Sequence, residues 1–329
     1  MKNLSITITI ILTILTAPNT FAGRSDNKYF FPDLVPIQSS LAKSAENKIL
    51  IISTRNFTNP ETLTLEKGVH PENKRFFFIA GTRGDSTIIV NYPTLHEAMS
   101  HLDKSKNMLV YVNGYNKTFD GTVKGGKMLR DYYEINAIMF DWPTEQRPIR
   151  ITAKNARKVS NSLAISLTEV DRISDDLFPG TRLSLVFHSM GNHVARHLVK
   201  SGNIDLLDDH TVDNIILNAA AVKSYDHDRW VEKLKHKEEV YIVYNKYDYV
   251  LRGASIMRGV RQLGNVALGE LADNANYINF SDIAEKEHSY YLGKTIAEKN
   301  NPEIFEFYNT VFHGMDFSSE INDYVVSNQ

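Results

Sequence analysis

Cysteine is absent from the chain, which has 329 residues. Its absence excludes a disulfide framework and the attachment of a lipid to an N-terminal cysteine. The fold therefore depends on a hydrophobic core, and a hydrophobic content of 42% over this length is enough for a large one. An α/β fold of this size often forms a single domain.

Charge of one sign is not concentrated anywhere in the sequence. The 37 Lys and Arg residues and the 39 Asp and Glu residues give a net charge of −2, and no long run of either sign occurs. Phosphate binding needs a concentrated basic face, so the sequence argues against a nucleic-acid partner. Nothing in the sequence indicates a polybasic patch that would bind a membrane surface either.

A hydrophobic run long enough to span a membrane is also absent after the N-terminus. At the N-terminus, Lys2 precedes the apolar run 4–15, and small residues follow up to Ala22. This order is typical of a secretory signal peptide. Cleavage after Ala22 predicts a secreted or periplasmic protein with no integral membrane span in its mature chain. An uncleaved N-terminal anchor is the alternative.

Short apolar runs bounded by turn residues predict nine strands. These runs cover residues 49–54, 76–80, 87–92, 108–112, 136–140, 183–187, 214–218, 240–244 and 276–280. From residue 108 onward, the strands alternate with helical patterns, the clearest of which are 118–134, 152–177 and 302–312. This alternation and the nearly continuous apolar character of the strands predict a mostly parallel sheet with helices on both faces.

The junction after residues 183–187 is the most informative motif. Ser189 and Gly191 fit the G-x-S-x-G pattern of a nucleophile elbow, in which a serine sits on a tight turn between a strand and a helix. Phe187 replaces the first glycine, which requires its side chain to point away from the helix. The backbone N–H of Met190 would be one donor of an oxyanion hole. Alternatively, the serine only caps the helix.

A nucleophilic serine needs a histidine base and a carboxylate that orients the histidine. In α/β-hydrolases the order along the chain is serine, acid, histidine, and each residue follows a strand. His288 lies shortly after the last predicted strand and is the expected base. His313, beyond the last predicted helix, is the alternative.

The acid is expected after the penultimate predicted strand, where Asp248 lies. Asp226 and Asp228, after the strand before it, are the main alternatives, and Asp282 near His288 is another. All four are expected to lie in loops, where an aspartate often serves only to stabilise a turn. The position of Asp248 directly behind the strand favours it.

A second oxyanion donor is expected from the loop after residues 108–112, which reads Asn113-Gly114-Tyr115-Asn116. Glycine lets the backbone turn beneath a substrate carbonyl, and the N–H of Tyr115 can then point inward. The alternative is an ordinary Asn-Gly turn.

Two clusters place acids beside a histidine, at residues 208–210 and 226–228. Neighbours in sequence rarely face one metal ion together, so these clusters predict solvated loop or helix-end residues. We expect neither a metal site nor a cofactor.

Four blocks of this sequence, at residues 110–116, 140–143, 187–192 and 288–290, resemble successive blocks of a bacterial family of uncharacterised α/β-hydrolases. That family shows a His-Gly-Tyr-Asn loop, a Trp-Pro after the next strand and an Ala-His-Ser-Met-Gly-Asn elbow. The resemblance covers about residues 48–295. Asn113 replaces the histidine of the family, and Phe187 replaces a small residue.

The resemblance implies the α/β-hydrolase fold, with Ser189 as nucleophile, Asp248 as acid and His288 as base. Further residues of the matching blocks are expected to support the site, namely Asn113, Gly114, Asn116, His188 and Gly191.

The predicted organisation is a signal peptide at 1–22, an N-terminal extension at 23–45, an α/β-hydrolase domain at 46–315 and a C-terminal tail at 316–329. No insertion is large enough for a big cap domain, and the resulting open site would suit lipid-like esters.

We therefore expect an exported carboxylic-ester hydrolase that acts on a small-molecule or lipid-like acyl ester. Amidase, peptidase or acyltransferase chemistry on the same triad is an alternative, because these reactions share the triad and the oxyanion hole. The other alternative is a protein that has the hydrolase fold but only binds a ligand, without catalysing a reaction. The oligomeric state is left open by the sequence.

Overall fold

The computed structural model describes residues 34–36, 45–145, 148–292 and 301–317. The predicted signal peptide lies outside these residues, and so do most of the predicted N-terminal extension and C-terminal tail.

The strands and helices of the described residues follow the alternation that the sequence predicts. The strands are β1 (Leu34–Pro36), β2 (Glu46–Ser53), β3 (Arg55–Asn59), β4 (Thr64–Val69), β5 (Phe76–Arg83), β6 (Ser86–Tyr92), β7 (Met108–Val112), β8 (Asn136–Asp141), β9 (Leu183–His188), β10 (Asn214–Asn218), β11 (Glu239–Tyr244) and β12 (Ala275–Asn279). The α-helices are α1 (Leu95–Met99), α2 (Phe119–Tyr133), α3 (Ile149–Leu177), α4 (Asn192–Lys200), α5 (Asp228–Val231), α6 (Tyr249–Arg258) and α7 (Pro302–Phe312).

Ten of the described strands form one sheet in the order β1-β6-β5-β2-β8-β7-β9-β10-β11-β12. β5 pairs antiparallel with β2 and β6. The seven strands that follow one another in the sheet, in the order β2-β8-β7-β9-β10-β11-β12, are all parallel. The predicted mostly parallel sheet is confirmed. The carboxyl ends of β7, β9, β11 and β12 therefore lie on one edge, where the loops that carry the candidate residues begin.

Helices cover both faces of this sheet, as predicted. One core cluster joins apolar side chains of α3 and α4, such as Leu163 and Val194, to those of the strands. A second cluster on the other face contains Phe119 of α2 and Phe307 of α7. In β9, Val186 belongs to the second cluster and Phe187 to the first, because successive strand side chains point to opposite faces.

Several elements were not predicted. β3 and β4 form a separate two-stranded antiparallel sheet, and α6 follows β11 directly. β1 lies within the predicted N-terminal extension and pairs with β6 in parallel, so the sheet already begins there. Between β9 and β12, the described connections are short helices and turns, without a large cap domain. None of the helices in the described residues is both long and apolar enough to cross a membrane.

Candidate active site

Ser189 occupies a strained turn between β9 and α4. Its φ is +51°, a left-handed backbone conformation that is uncommon for residues other than glycine. A 3-10 turn at Ser189–Gly191 leads into α4. The side-chain amide of Asn192 ties the turn together by donating to the carbonyl oxygens of Phe187 at 2.8 Å and of Ser189 at 3.1 Å. Ser189 thus lies on a tight turn between a strand and a helix, which is the geometry that a nucleophile elbow needs.

Phe187 does not behave as expected. Its side chain is fully buried in the same core cluster as Val194 and Ala195 of α4. The side chain thus lies on the face of the sheet that α4 covers, instead of pointing away from the helix. The close approach of strand and helix is made possible at the other glycine position, Gly191.

The loop after β7 packs directly against the elbow. A Cβ atom added at Gly191 would lie 2.6 Å from the carbonyl oxygen of Val112, and one added at Gly114 would lie 2.9 Å from Cβ of Ser189. Real Cβ atoms essentially never come so close, so both positions require glycine. The contact places Tyr115, the residue after Gly114, at the same cavity as Ser189 and Met190.

Asp248 and His288 form a short hydrogen bond. Asp248 is the N-cap of α6, and its Oδ1 accepts the backbone N–H groups of Val250 at 2.9 Å and Leu251 at 3.0 Å. Its Oδ2 lies 2.6 Å from Nδ1 of His288. The carboxylate is fully buried, so both of its oxygens are held in place. The bond at Nδ1 leaves Nε2 as the imidazole nitrogen that could receive a proton.

The His288 ring lies beside the elbow. Its centroid is 4.8 Å from that of His188, the residue immediately before Ser189. Nδ1 of His188 lies 3.2 Å from the side-chain amide nitrogen of Asn218, which can donate to it. Burial, with the nearby charges of His288 and Lys117, holds the pKa of His188 well below its usual value. His188 is therefore neutral and does not compete with His288 for a proton.

The alternative residues lie elsewhere. Asp226 is exposed and pairs with Lys223 at 2.8 Å, and Asp282 is exposed and lies 3.8 Å from Lys246. His313 follows α7, and its Nε2 lies 2.9 Å from the carbonyl oxygen of Tyr133. It also contacts Asn107, just before β7 begins, which places it at the opposite edge of the sheet from Ser189.

The acid–histidine cluster at 226–228 is not solvated as predicted, because His227 and Asp228 are buried. At 226–228, Nδ1 of His227 lies 2.6 Å from the carbonyl oxygen of Ser224, and its Nε2 lies 2.6 Å from the hydroxyl of Tyr277. Both ring nitrogens are thus engaged by groups of the fold, while Asp226 faces Lys223.

A buried ion network lies behind the loop at 113–116. The Arg55 guanidinium donates to both carboxylate oxygens of Asp141, at 2.7 and 2.9 Å, and to Glu145. Burial alone would lower the pKa of Arg55, but the charges of the two carboxylates outweigh it and raise the pKa. A second chain of bonds runs from Asp141 through the hydroxyl of Thr122 to the side chain of Asn113.

This network fixes the first residue of the loop. The Asn113 side chain donates to Oγ1 of Thr122 at 2.8 Å, and the backbone carbonyl oxygen of Asn113 accepts the indole N–H of Trp142 at 2.9 Å. Asn113 is buried and held from both sides. These two bonds anchor the start of the loop. At the end of the loop, Asn116 adopts a φ of +60°.

Sequence reasoning did not find Arg55. Its carboxylate partners Asp141 and Glu145 lie 86 and 90 residues further along the chain. Asp141 lies in one of the four blocks that carry the resemblance, 140–143, but nothing in the sequence indicates which cationic side chain pairs with it.

A cavity of about 370 Å³ opens beside Ser189. Its walls come from the elbow, from Tyr115 and mainly from α6, which contributes Leu251, Ile256 and Met257. The site therefore combines a serine on a strained turn, an oriented imidazole beside it and an apolar cavity for part of a substrate.

The part of the chain that carries these site residues matches a protein family. A family model described as "Alpha/beta hydrolase of unknown function (DUF900)" matches residues 94–309. The match includes the loop after β7, the elbow, Asp248 and His288. A comparison with curated proteins finds no match.

Proposed function

The chain belongs to this family of α/β hydrolases of unknown function, and from that membership we propose that it is a serine hydrolase that cleaves carboxylic esters. The observation that carries the proposal is the 2.6 Å hydrogen bond between Asp248 and Nδ1 of His288, with the imidazole beside the elbow of Ser189. A histidine that is oriented by a buried carboxylate and lies next to a serine at the wall of a cavity is the arrangement that activates a serine nucleophile.

In the proposed reaction, Oγ of Ser189 attacks the carbonyl carbon of the ester while Nε2 of His288 accepts the hydroxyl proton. The tetrahedral intermediate carries its negative charge on the former carbonyl oxygen, which the backbone N–H groups of Met190 and Tyr115 would stabilise. Collapse expels the alcohol, which takes the proton from His288. Water then attacks the acyl-enzyme by the same route and releases the carboxylic acid.

The electrostatics of the site support this direction of proton transfer. The carboxylate of Asp248 stabilises the imidazolium form of His288 that arises during attack. The ring of His188 lies tilted against that of His288. His188 stays neutral because burial lowers its pKa, and so it adds no positive charge that would oppose that imidazolium.

We test the proposal with a fluorophosphonate probe, which reacts covalently with activated serines. Ser189→Ala should abolish both labelling and hydrolysis of p-nitrophenyl butyrate, while its melting temperature stays near that of the wild type. Ser201→Ala, at an exposed serine just after α4, is the matched control and should keep both. Labelling of another residue, or activity of Ser189→Ala within a few-fold of wild type, would refute the assignment of the nucleophile.

The proposal includes export. The N-terminal pattern of Lys2, the apolar run 4–15 and Ala22 supports cleavage by a signal peptidase. N-terminal sequencing of protein recovered outside the cytoplasm should begin at Gly23, and an intact Met1 there would contradict it.

A further inference from the structure

The helix α6 carries a band of apolar side chains at the mouth of the cavity. Ile256 is 70% exposed, and Met257, Tyr247 and Tyr249 are each exposed by two fifths or more. All four also line the cavity beside Ser189. Contiguous exposed apolar surface on a water-soluble fold is unfavourable unless it is covered in use, so such a patch marks a surface for interaction.

Cationic side chains accompany this band. Among the described residues that line the cavity, Arg252, Arg258 and Lys286 are cationic, and none is acidic. All three are exposed. The mouth of the cavity is therefore complementary to a ligand that combines an apolar chain with an anionic group.

The positive charge continues from α6 onto α4. Burial lowers the pKa of Arg196 in α4, and the nearby positive charge of Arg258 lowers it further. Burial and the positive charge of Arg196 likewise lower the pKa of Lys200, which lies one turn further along α4. The carboxylate of Asp226 faces this group, but it is already paired with Lys223 at 2.8 Å.

We propose that α6 and the basic side chains around it form a docking face for a membrane surface of anionic phospholipid, from which one acyl chain enters the cavity and brings its ester to Ser189. The apolar band would insert between the lipids, and the cations would bind their phosphate groups. This inference rests on the proposed function and names its substrate as an acyl ester of an anionic phospholipid. Water cleaves that ester to a fatty acid and a lysophospholipid.

Docking is measured by flotation of the purified Ser189→Ala protein with vesicles, because this variant lacks the nucleophile and leaves the lipid intact. We expect binding to phosphatidylglycerol vesicles that is at least about tenfold tighter than binding to phosphatidylcholine vesicles. Added salt should weaken the binding, because it screens the attraction between the basic face and the lipid phosphates. Equal binding to the two lipids would overturn the proposal.

Two further substitutions in the Ser189→Ala background separate the apolar and charged contributions. Ile256→Asp should weaken binding to both lipids, whereas Arg252→Glu should weaken binding to phosphatidylglycerol by about tenfold and leave phosphatidylcholine binding nearly unchanged. The controls are Met128→Asp on α2 and Lys67→Glu on β4, which replace an apolar and a cationic side chain by an acidic one at exposed positions outside the docking face. Both control variants should bind vesicles as the Ser189→Ala protein does. Melting temperatures verify that each variant is folded.

The outcomes distinguish the docking inference from the proposed function. If the wild-type protein hydrolyses p-nitrophenyl butyrate but does not discriminate between the two lipids, the docking face is wrong and the hydrolase assignment stands. If the vesicles bind as expected but no ester is cleaved and Ser189 is not labelled, the hydrolase assignment is wrong. A dimer that Ile256→Asp dissociates would show that a second copy of the chain covers this face, which also overturns the inference.

Discussion

At the scale of single residues, the two oxygens of the Asp248 carboxylate have different tasks. Oδ1 accepts the backbone N–H groups of Val250 and Leu251, and Oδ2 faces Nδ1 of His288. Because the carboxylate caps α6 and orients the imidazole at the same time, it cannot rotate without losing one set of bonds. An aspartate that begins a helix after a strand is thereby fixed toward the histidine.

This division of tasks predicts the effect of Asp248→Asn. The amide oxygen can still cap α6, so the melting temperature should change little. The amide nitrogen cannot accept the Nδ1 proton of His288, so the imidazole takes the wrong tautomer and kcat should fall by up to about 10⁴-fold. Steady-state kinetics with p-nitrophenyl butyrate measure this loss.

Asp226→Asn and Asp228→Asn are the controls, since both residues were alternatives for the acid. Asp226 is exposed beside Lys223, and Asp228 lies in the first turn of α5. Each change should alter kcat by no more than a few-fold. A large loss at either position, together with nearly normal Asp248→Asn, would move the acid to the loop after β10.

At the scale of elements, the site depends on how closely the loop after β7 approaches the elbow. Gly191 lies against the backbone of Val112 and Asn113, and Gly114 lies against Ser189. The loop itself is anchored by the Arg55 network through Asn113. Two short segments far apart in sequence are therefore held at a fixed separation, which an oxyanion hole shared between them requires.

Gly191→Ala tests this contact. The added Cβ would lie 2.6 Å from the carbonyl oxygen of Val112, which is backbone and cannot turn aside. We expect the loop and the elbow to separate, with a loss of roughly 1–3 kcal/mol in the free energy of unfolding. A loss of about 10² or more in kcat should accompany it, because the oxyanion donors move with their segments. Urea denaturation and steady-state kinetics measure the two effects.

Gly125→Ala is the matched control. This glycine lies inside α2, and a Cβ there would meet only the tip of Met139 at 4.0 Å. Alanine favours the helix, so the variant should be as stable as the wild type or up to about 1 kcal/mol more stable, with unchanged kcat. If both variants lost activity equally, a specific role for the contact at Gly191 would be ruled out.

Elements differ in how well the sequence predicts them. The strand at 108–112 was predicted with the bounds of β7, and the elbow strand with those of β9 to within one residue, because buried parallel strands are continuous apolar runs. β3 and β4 are short and carry exposed polar residues, so they lack such a run. The pairing of Arg55 with Asp141 depends on the pairing of β2 with β8 in the sheet. A local sequence pattern does not show which strands pair.

At the scale of the whole molecule, the fold concentrates charge that the sequence spreads out. No polybasic run occurs and the net charge is −2. Yet Arg252, Arg258 and Lys286 line one cavity, and Arg196 of a third segment lies close enough to Arg258 to feel its charge. The residues of the proposed triad are likewise brought together from three loops, but their chain order follows a known topology. Their placement could be predicted from the sequence, whereas that of the cations could not.

The stability of the whole molecule should depend on pH through buried histidines. His193 in α4 is buried, and its Nε2 has no hydrogen-bond partner among the described residues. Burial, with the charges of Arg258 and Arg196, lowers the pKa of His193 to about 4. In the unfolded chain the pKa of a histidine is about 6.5. Between these values the unfolded state binds more protons than the folded state, so stability rises with pH there and is lost as pH falls from 6.5 toward 4.

We therefore expect the free energy of unfolding to be nearly constant above about pH 7 and to fall as the pH is lowered. The full contribution of His193 is about 3 kcal/mol over the whole interval, and His188, whose pKa is also lowered, adds to it in the same direction. Urea denaturation between about pH 7.5 and 5 measures this fall largely above the range in which carboxylates titrate. His193→Gln should make the dependence shallower, and His210→Gln, at an exposed histidine, should leave it as in the wild type. Stability that is flat or rises toward pH 5 would mean that His193 is protonated inside the fold, which would contradict the burial that lowers its pKa.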